Sequence, residues 1–145
     1  MKDFKDKIVV ITGAGSGMGR SYALEFAKLG AKLALNDYDP KGLAQTVALL
    51  KKAGIKGVFS KAFDVGDKAA MNDFAAAVQS KLGNAHVIIN NAGVGGGGQP
   101  VWAMDDQSYE RTLQINFFGV VYGTRAFLPQ LLANDEGAVV NISSV

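Results

Sequence analysis

The sequence predicts a doubly wound α/β fold, a parallel sheet with helices on both faces. Three observations carry the prediction. Short apolar, β-rich runs alternate with longer amphipathic stretches along the chain. A glycine-rich turn, Thr12-Gly13-Ala14-Gly15-Ser16-Gly17-Met18-Gly19, separates the first apolar run, Ile8-Val9-Val10-Ile11, from the first amphipathic stretch. The 145 residues are 48% hydrophobic and 19% charged, which suits a folded domain with a sizeable core and not a disordered chain.

The elements follow in order. A strand is expected at 7–12 and, past the glycines, a helix at 17–29. A second strand is expected at 31–36. The helix at 40–53 opens on Asp39-Pro40, an N-cap and first-turn pair, and closes at Gly54. A third strand covers 57–62, and Asp67 caps a helix at 67–81 that ends at Gly83. Ala69, Ala70, Ala75, Ala76 and Ala77 make that helix slim enough for close packing. A fourth strand at 86–90 leads into Gly93-Val94-Gly95-Gly96-Gly97-Gly98-Gln99-Pro100, the one low-complexity piece. One long helix is expected at 106–132, kinked or shortened near its end by Pro129, and a last strand at 137–142. There is no internal repeat or linker, so residues 1–145 read as one domain.

Composition narrows the function. The net charge is +2 and the lysines are scattered, with no basic run, which argues against nucleic acid and anionic membrane as partners. Without cysteine there is neither disulfide nor thiolate nucleophile, and with one histidine no metal site is expected. No stretch approaches a membrane span, and the charged start Met1-Lys2-Asp3-Phe4-Lys5-Asp6 is unlike a signal peptide, so a cytoplasmic protein is expected.

The glycine turn carries the chemistry. Strand, glycine turn and helix in that order suit a dinucleotide pyrophosphate: the glycines admit the backbone, and the free N–H groups and dipole of the helix face the negative charge. A strict Gly-x-Gly-x-x-Gly does not fit, because Met18 or Arg20 takes the third glycine position. A Walker phosphate loop fails as well, with Ala14 for its first glycine and Arg20 for its lysine. Asp37 ends the second strand about 20 residues on, where this fold places an acid on the adenosine ribose. A carboxylate there accepts from the ribose hydroxyls and repels a 2′-phosphate. No Lys or Arg stands at Ser16 or Tyr38, which reads as NAD over NADP. Taken alone, an Asp before a helix is equally a cap.

Thr-Gly-x-x-x-Gly-x-Gly resembles the signature of the short-chain dehydrogenase/reductase family, and four further stretches resemble that family in the same order. Asp64-Val65 is similar to its pair beside the adenine, the carboxylate to the exocyclic amine and the aliphatic side chain to the ring. Asn90-Asn91-Ala92-Gly93 is similar to its Asn-Asn-Ala-Gly motif, where small residues let the cofactor ribose lie on backbone and Asn90 braces the strands. Asn116, in Gln114-Ile115-Asn116-Phe117-Phe118-Gly119, resembles the helix asparagine that distorts its helix and holds a water in a proton relay. Val139-Val140-Asn141-Ile142-Ser143-Ser144 resembles the strand carrying the catalytic serine, which makes Ser144 the catalytic candidate and leaves Ser143 nearer the nicotinamide.

The resemblance implies a Rossmann-type fold and an oxidoreductase that moves hydride between NAD and an alcohol or carbonyl substrate. Gly13, Ser16, Gly17, Met18, Asp37, Asp64, Val65, Asn91 and Gly93 would hold NAD, and Ser144 and Asn116 would serve catalysis. The loop from Val94 to Trp102 would line one wall of the substrate pocket. His86 is expected at a strand edge and not as a ligand. Trp102, Phe117, Phe118 and Phe127 are expected in core or subunit contacts, and a homo-oligomer, dimer or tetramer, is implied.

The family's Tyr-x-x-x-Lys pair is missing. Tyr22, Tyr38, Tyr109 and Tyr122 are followed four residues later by Phe26, Gly42, Leu113 and Ala126. Serine holds the substrate oxygen in the family, but a tyrosine near pKa 10 needs its lysine to act as a base at neutral pH. The chain is therefore expected to be the N-terminal part of the family fold, truncated after the fifth strand, with negligible turnover and an exposed apolar edge at 137–142. A non-catalytic NAD-binding module and an inactive fragment are the alternatives.

Overall fold

The computed structural model describes residues 1, 3–95 and 98–144. Gly96 and Gly97 of the glycine loop, and the terminal Val145, lie outside the described residues. Five strands, β1 (Ile8–Ile11), β2 (Lys32–Asp37), β3 (Val58–Ala62), β4 (Val87–Asn90) and β5 (Ala138–Asn141), form one sheet of order β3-β2-β1-β4-β5. Each pairing is parallel. The helices are α1 (Gly17–Lys28), α2 (Pro40–Lys52), α3 (Lys68–Leu82), α4 (Asp106–Leu113) and α5 (Gly119–Leu132).

The period of two in the strands divides the core. Val9, Ile11, Leu33, Leu35, Val87 and Ile89 point to the face covered by α1 and α2, where Ala23, Ala27, Leu43 and Leu50 meet them. Ile8, Val10, Ala34 and Ile88 point to the other face, against Met71, Phe74 and Val78 of α3 and Phe127 and Leu131 of α5. Phe74 anchors that layer, its ring 5.2 Å from Phe63 and 5.9 Å from Phe127 between centroids.

The ends of the helices follow the sequence. Asp39 accepts from the N–H groups of Lys41 and Gly42, and Asp67 accepts from Ala70 N–H. Gly54 and Gly83 leave the helices with φ of +76° and +108°. The expected helix at 106–132 is divided: a π-turn over Gln114–Phe118, centred on Asn116, separates α4 from α5. Pro129 sits inside α5, which runs on to Leu132, so the proline does not end the helix. A single 3₁₀ turn, Val101–Ala103, was not expected from the sequence.

Strand β5 is the sheet edge on one side, and all four of its residues are exposed. No described helix is long and apolar enough to cross a membrane.

Candidate functional site

The order of the strands reverses at β1. The chain steps outward from β1 to β2 and β3, then returns to place β4 on the other side of β1. The loops leaving β1 and β4 therefore diverge and open a crevice at the carboxyl edge of the sheet, where this fold class binds ligands. Buried Thr12 ties the two loops together. Its Oγ1 accepts from Asn91 N–H and Ala92 N–H, both at 3.0 Å. Asn91 answers by donating from Nδ2 to the carbonyl oxygens of Thr12 (3.0 Å) and Gly13 (3.3 Å).

The glycines have separate tasks. A Cβ on Gly19 would stand 2.0 Å from the Gly13 carbonyl oxygen, so only glycine lets α1 start against the loop. Gly17 has φ +47° and open space where its Cβ would be. Ser16 places no side-chain cap on α1, so the N–H groups of the first turn keep their capacity for an anion.

Three side chains fix the loop from behind. Gly15 N–H donates to Asp37 Oδ2 at 2.7 Å. The Gly15 carbonyl accepts from the Arg20 guanidinium, whose Nε donates to Thr46 Oγ1 at 2.9 Å. Thr46 in turn donates to the Ala14 carbonyl at 2.8 Å. Asp37 Oδ1 also accepts from Asp39 N–H at 2.8 Å. A carboxylate offers about four acceptor sites, so Asp37 keeps room for ribose hydroxyls after these two bonds.

The crevice is a cavity of about 320 Å³. Its wall contains Gly13, Ser16, Gly17, Met18, Asp37, Asp64, Val65, Asn91 and Gly93, which are the nine residues expected at a dinucleotide. Open space at Gly17, uncapped N–H groups and a carboxylate opposite are a donor and acceptor set that fits NAD. The site residues that sequence reasoning missed are Arg111, Tyr38 and, behind the loop, Arg20 with Thr46. Arg111, on α4, pairs with Asp64 Oδ2, and its guanidinium carbon lies 5.7 Å from the Tyr38 ring centroid. The signal for Arg20 was its place directly after the last glycine; Arg111 lay in no motif.

Neither catalytic candidate is itself part of this wall. Asn116 Oδ1 accepts from Val94 N–H and its Nδ2 donates to the Val94 carbonyl, each at 2.8 Å, so its side chain clamps the loop after β4. Ser144 is exposed past the end of β5, at the same sheet edge, since Asn90 and Asn141 are register partners. Asn90 donates to Asn141 Oδ1 at 2.9 Å and to Thr124 Oγ1 at 3.1 Å, the expected brace between strands. His86 lies at the other end of β4, outside the crevice, where its Nδ1 accepts from Ile8 N–H at 3.2 Å. Burial, and then the charge of Lys7, hold its pKa below the usual histidine value. Among the described residues no group of three acids or histidines could hold a metal ion.

Comparison with known proteins agrees with this geometry. The family model for short chain dehydrogenase matches residues 7–145. SadH of Mycobacterium tuberculosis is 44% identical over the full chain, which spans 52% of that protein. Human epidermal retinol dehydrogenase 2 is 37% identical over 143 residues, with 99% of this chain and 46% of that protein covered. The chain thus spans about half the length of these relatives. A short-chain dehydrogenase/reductase from Burkholderia phymatum, solved with NAD, superposes with a TM-score of 0.94 at 40% identity, covering 99% of this chain and 51% of its own. A metagenomic short-chain oxidoreductase solved with NADP has a TM-score of 0.92 at 31% identity, covering 98% of this chain and 64% of its own.

Proposed function

The chain belongs to the short-chain dehydrogenase family, and on that footing we propose that it forms the NAD-binding part of an oxidoreductase acting on an alcohol or carbonyl substrate. The observation that carries the reading is the Asp37 carboxylate, held against Gly15 N–H on the wall of the switch-point crevice. A negative charge fixed there favours the free 2′-hydroxyl of NAD over the 2′-phosphate of NADP. Solved relatives carrying each cofactor make this a choice that the local residues decide.

NAD would supply the hydride acceptor, and the chain's residues supply the rest. Gly17, Met18 and the uncapped start of α1 receive the diphosphate. Asp37 takes the adenosine ribose, and Asp64 and Val65 take the base. Asn91 and Gly93 bring backbone close to the nicotinamide side. Ser144 orients the substrate oxygen. Asn116 holds Val94 in place through its side chain, which leaves its main-chain carbonyl as the group for a relay water. The π-turn at this position is the local distortion that supports such a role.

Proton transfer needs a base that these 145 residues do not supply, since no Tyr-x-x-x-Lys occurs in them. The proposal is accordingly that this stretch binds NAD and by itself turns over negligibly. The proposal keeps the cytoplasmic setting and the homo-oligomer, the latter supported by the exposed side chains of Phe117, Phe118 and Leu132 along one helical run.

Fluorescence titration with NADH and NADPH tests the cofactor choice. Wild type should bind NADH more tightly. Asp37→Ala should weaken NADH about tenfold or more, the scale of a hydrogen bond to a charged group, and narrow the preference. Equal affinities in wild type, unchanged by the substitution, would remove Asp37 from the site.

A further inference from the structure

We propose that Met18 is a modification site, at which a hydroperoxide converts the thioether to the sulfoxide and thereby lowers the affinity of the crevice for its dinucleotide. The inference rests on the dinucleotide reading above and adds a regulation of that same site.

Place and exposure single this methionine out. The chain has four. Met71 is fully buried in the core layer against α3, and Met104 is half-buried. Met1 is 43% exposed, but its amino group pairs with Glu136, just before β5 begins, at the sheet edge opposite the crevice. Met18 is 57% exposed and is the one methionine among the described residues of the crevice wall. It lies in the first turn of α1, where Ser16 provides no side-chain cap and the N–H groups are left for the diphosphate. One turn on, the Tyr22 hydroxyl donates to Met18 Sδ at 3.8 Å, which fixes the sulfur beside that turn.

A thioether sulfur has two lone pairs. Tyr22 engages one, and the exposure of Met18 leaves the other open to an oxidant. That pair attacks the terminal oxygen of a hydroperoxide: an S–O bond forms, the O–O bond breaks, and the sulfur gives up two electrons. The departing oxygen takes the proton of the transferred one and leaves as water or an alcohol. The product carries a strong acceptor oxygen where the thioether was apolar. At the start of a helix that oxygen competes with the diphosphate for the same N–H groups, and the Tyr22 hydroxyl is placed to hold it there. Bound dinucleotide covers the wall and shields the sulfur, so the empty crevice is the form that is modified.

The test treats the full protein with hydrogen peroxide, removes the oxidant, maps each methionine by peptide mass spectrometry and titrates NADH by fluorescence. Met18 should gain an oxygen ahead of Met104 and Met71, and saturating NAD during the treatment should protect it. Oxidised wild type should bind NADH about tenfold more weakly, the scale of a hydrogen bond to a charged group, with its melting temperature little changed. Methionine sulfoxide reductases should restore the Met18 mass and the affinity together. Met18→Leu keeps an apolar side chain of similar volume without the sulfur. Whatever its starting affinity, treated and untreated samples of it should bind alike. Met18 left intact while Met1 is oxidised overturns the inference, as does Met18 oxidised equally with and without NAD. So does an affinity that Met18 oxidation leaves unchanged, an affinity that stays low after repair, or an equal loss in Met18→Leu. If untreated wild type binds no NADH, the cofactor reading itself falls and this inference with it.

Discussion

On the β1–β3 side of the switch point, the loops at the carboxyl edge are tied to their neighbours by charged or buried polar side chains. Asp37 and Arg20 hold the two ends of Gly15, Thr46 holds Ala14, and Asn36 donates to the Phe63 carbonyl at 2.9 Å. On the β4–β5 side the ties are asparagine side chains, Asn91 to Thr12, Asn116 to Val94 and Asn90 to Thr124 and Asn141, and beyond them Val139 and Val140 are 38% and 39% exposed. The first side builds the site and its own support from the same contacts. The second carries the catalytic candidates, Asn116 on the π-turn against Val94 and Ser144 past the exposed edge strand. The contacts that shape the crevice are therefore local to this chain's first three strands and the loops that follow them.

Substitutions at glycine should break the comparison most sharply. Gly19→Ala puts a Cβ 2.0 Å from a backbone oxygen that cannot move without moving the loop. The expected loss is about 3 kcal/mol or more in urea unfolding, together with NADH binding. Gly123→Ala on the other side meets Asn90 Oδ1 at 2.2 Å, a side-chain atom that can turn away at the expense of the asparagine brace. About 1–3 kcal/mol is expected there, with NADH affinity of the folded fraction retained. Equal losses from both would erase the distinction between a backbone-locked and a side-chain-braced half.

Asp39→Ala removes the cap of α2 and should cost about 1 kcal/mol, read as a lower urea midpoint at constant slope. His86 sets a pH dependence. The folded protein holds its ring neutral, accepting from Ile8 N–H, and its pKa is lowered by burial and by Lys7. Its contribution is fully present above the unfolded value, about 6.5. As pH falls below that value the unfolded chain takes up the proton first, and stability drops until the lowered folded pKa is passed. Unfolding curves from pH 8 to pH 5 should show this slope, and His86→Gln should flatten it. Smallest of all, Val140→Thr on the open edge should change stability by within about 0.5 kcal/mol while reducing self-association measured by light scattering.

Much of the fold was legible because its signals are local. Short apolar, β-rich runs placed all five strands, and Asp39, Asp67, Gly54 and Gly83 marked helix ends within a few residues of where they act. The nine crevice residues were legible for the same reason, since each follows a strand end within a short motif. What escaped was non-local. The 106–132 stretch reads as one helix, because the π-turn keeps the backbone helical and no side-chain cap marks where it begins. Arg20 finds Thr46 across 26 positions and Arg111 finds Asp64 across 47, and nothing in the neighbourhood of either arginine announces its partner.

The most direct test of the central claim, that the switch-point crevice holds the cofactor, is an amide-resolved NMR titration with NADH. The account predicts saturable changes at Gly13, Gly15, Gly17, Met18, Asp37, Val65 and Gly93, and little change at Val139 and Val140. Changes confined to the outer surface of α4 and α5, or none at the glycine loop at saturating NADH, would contradict it.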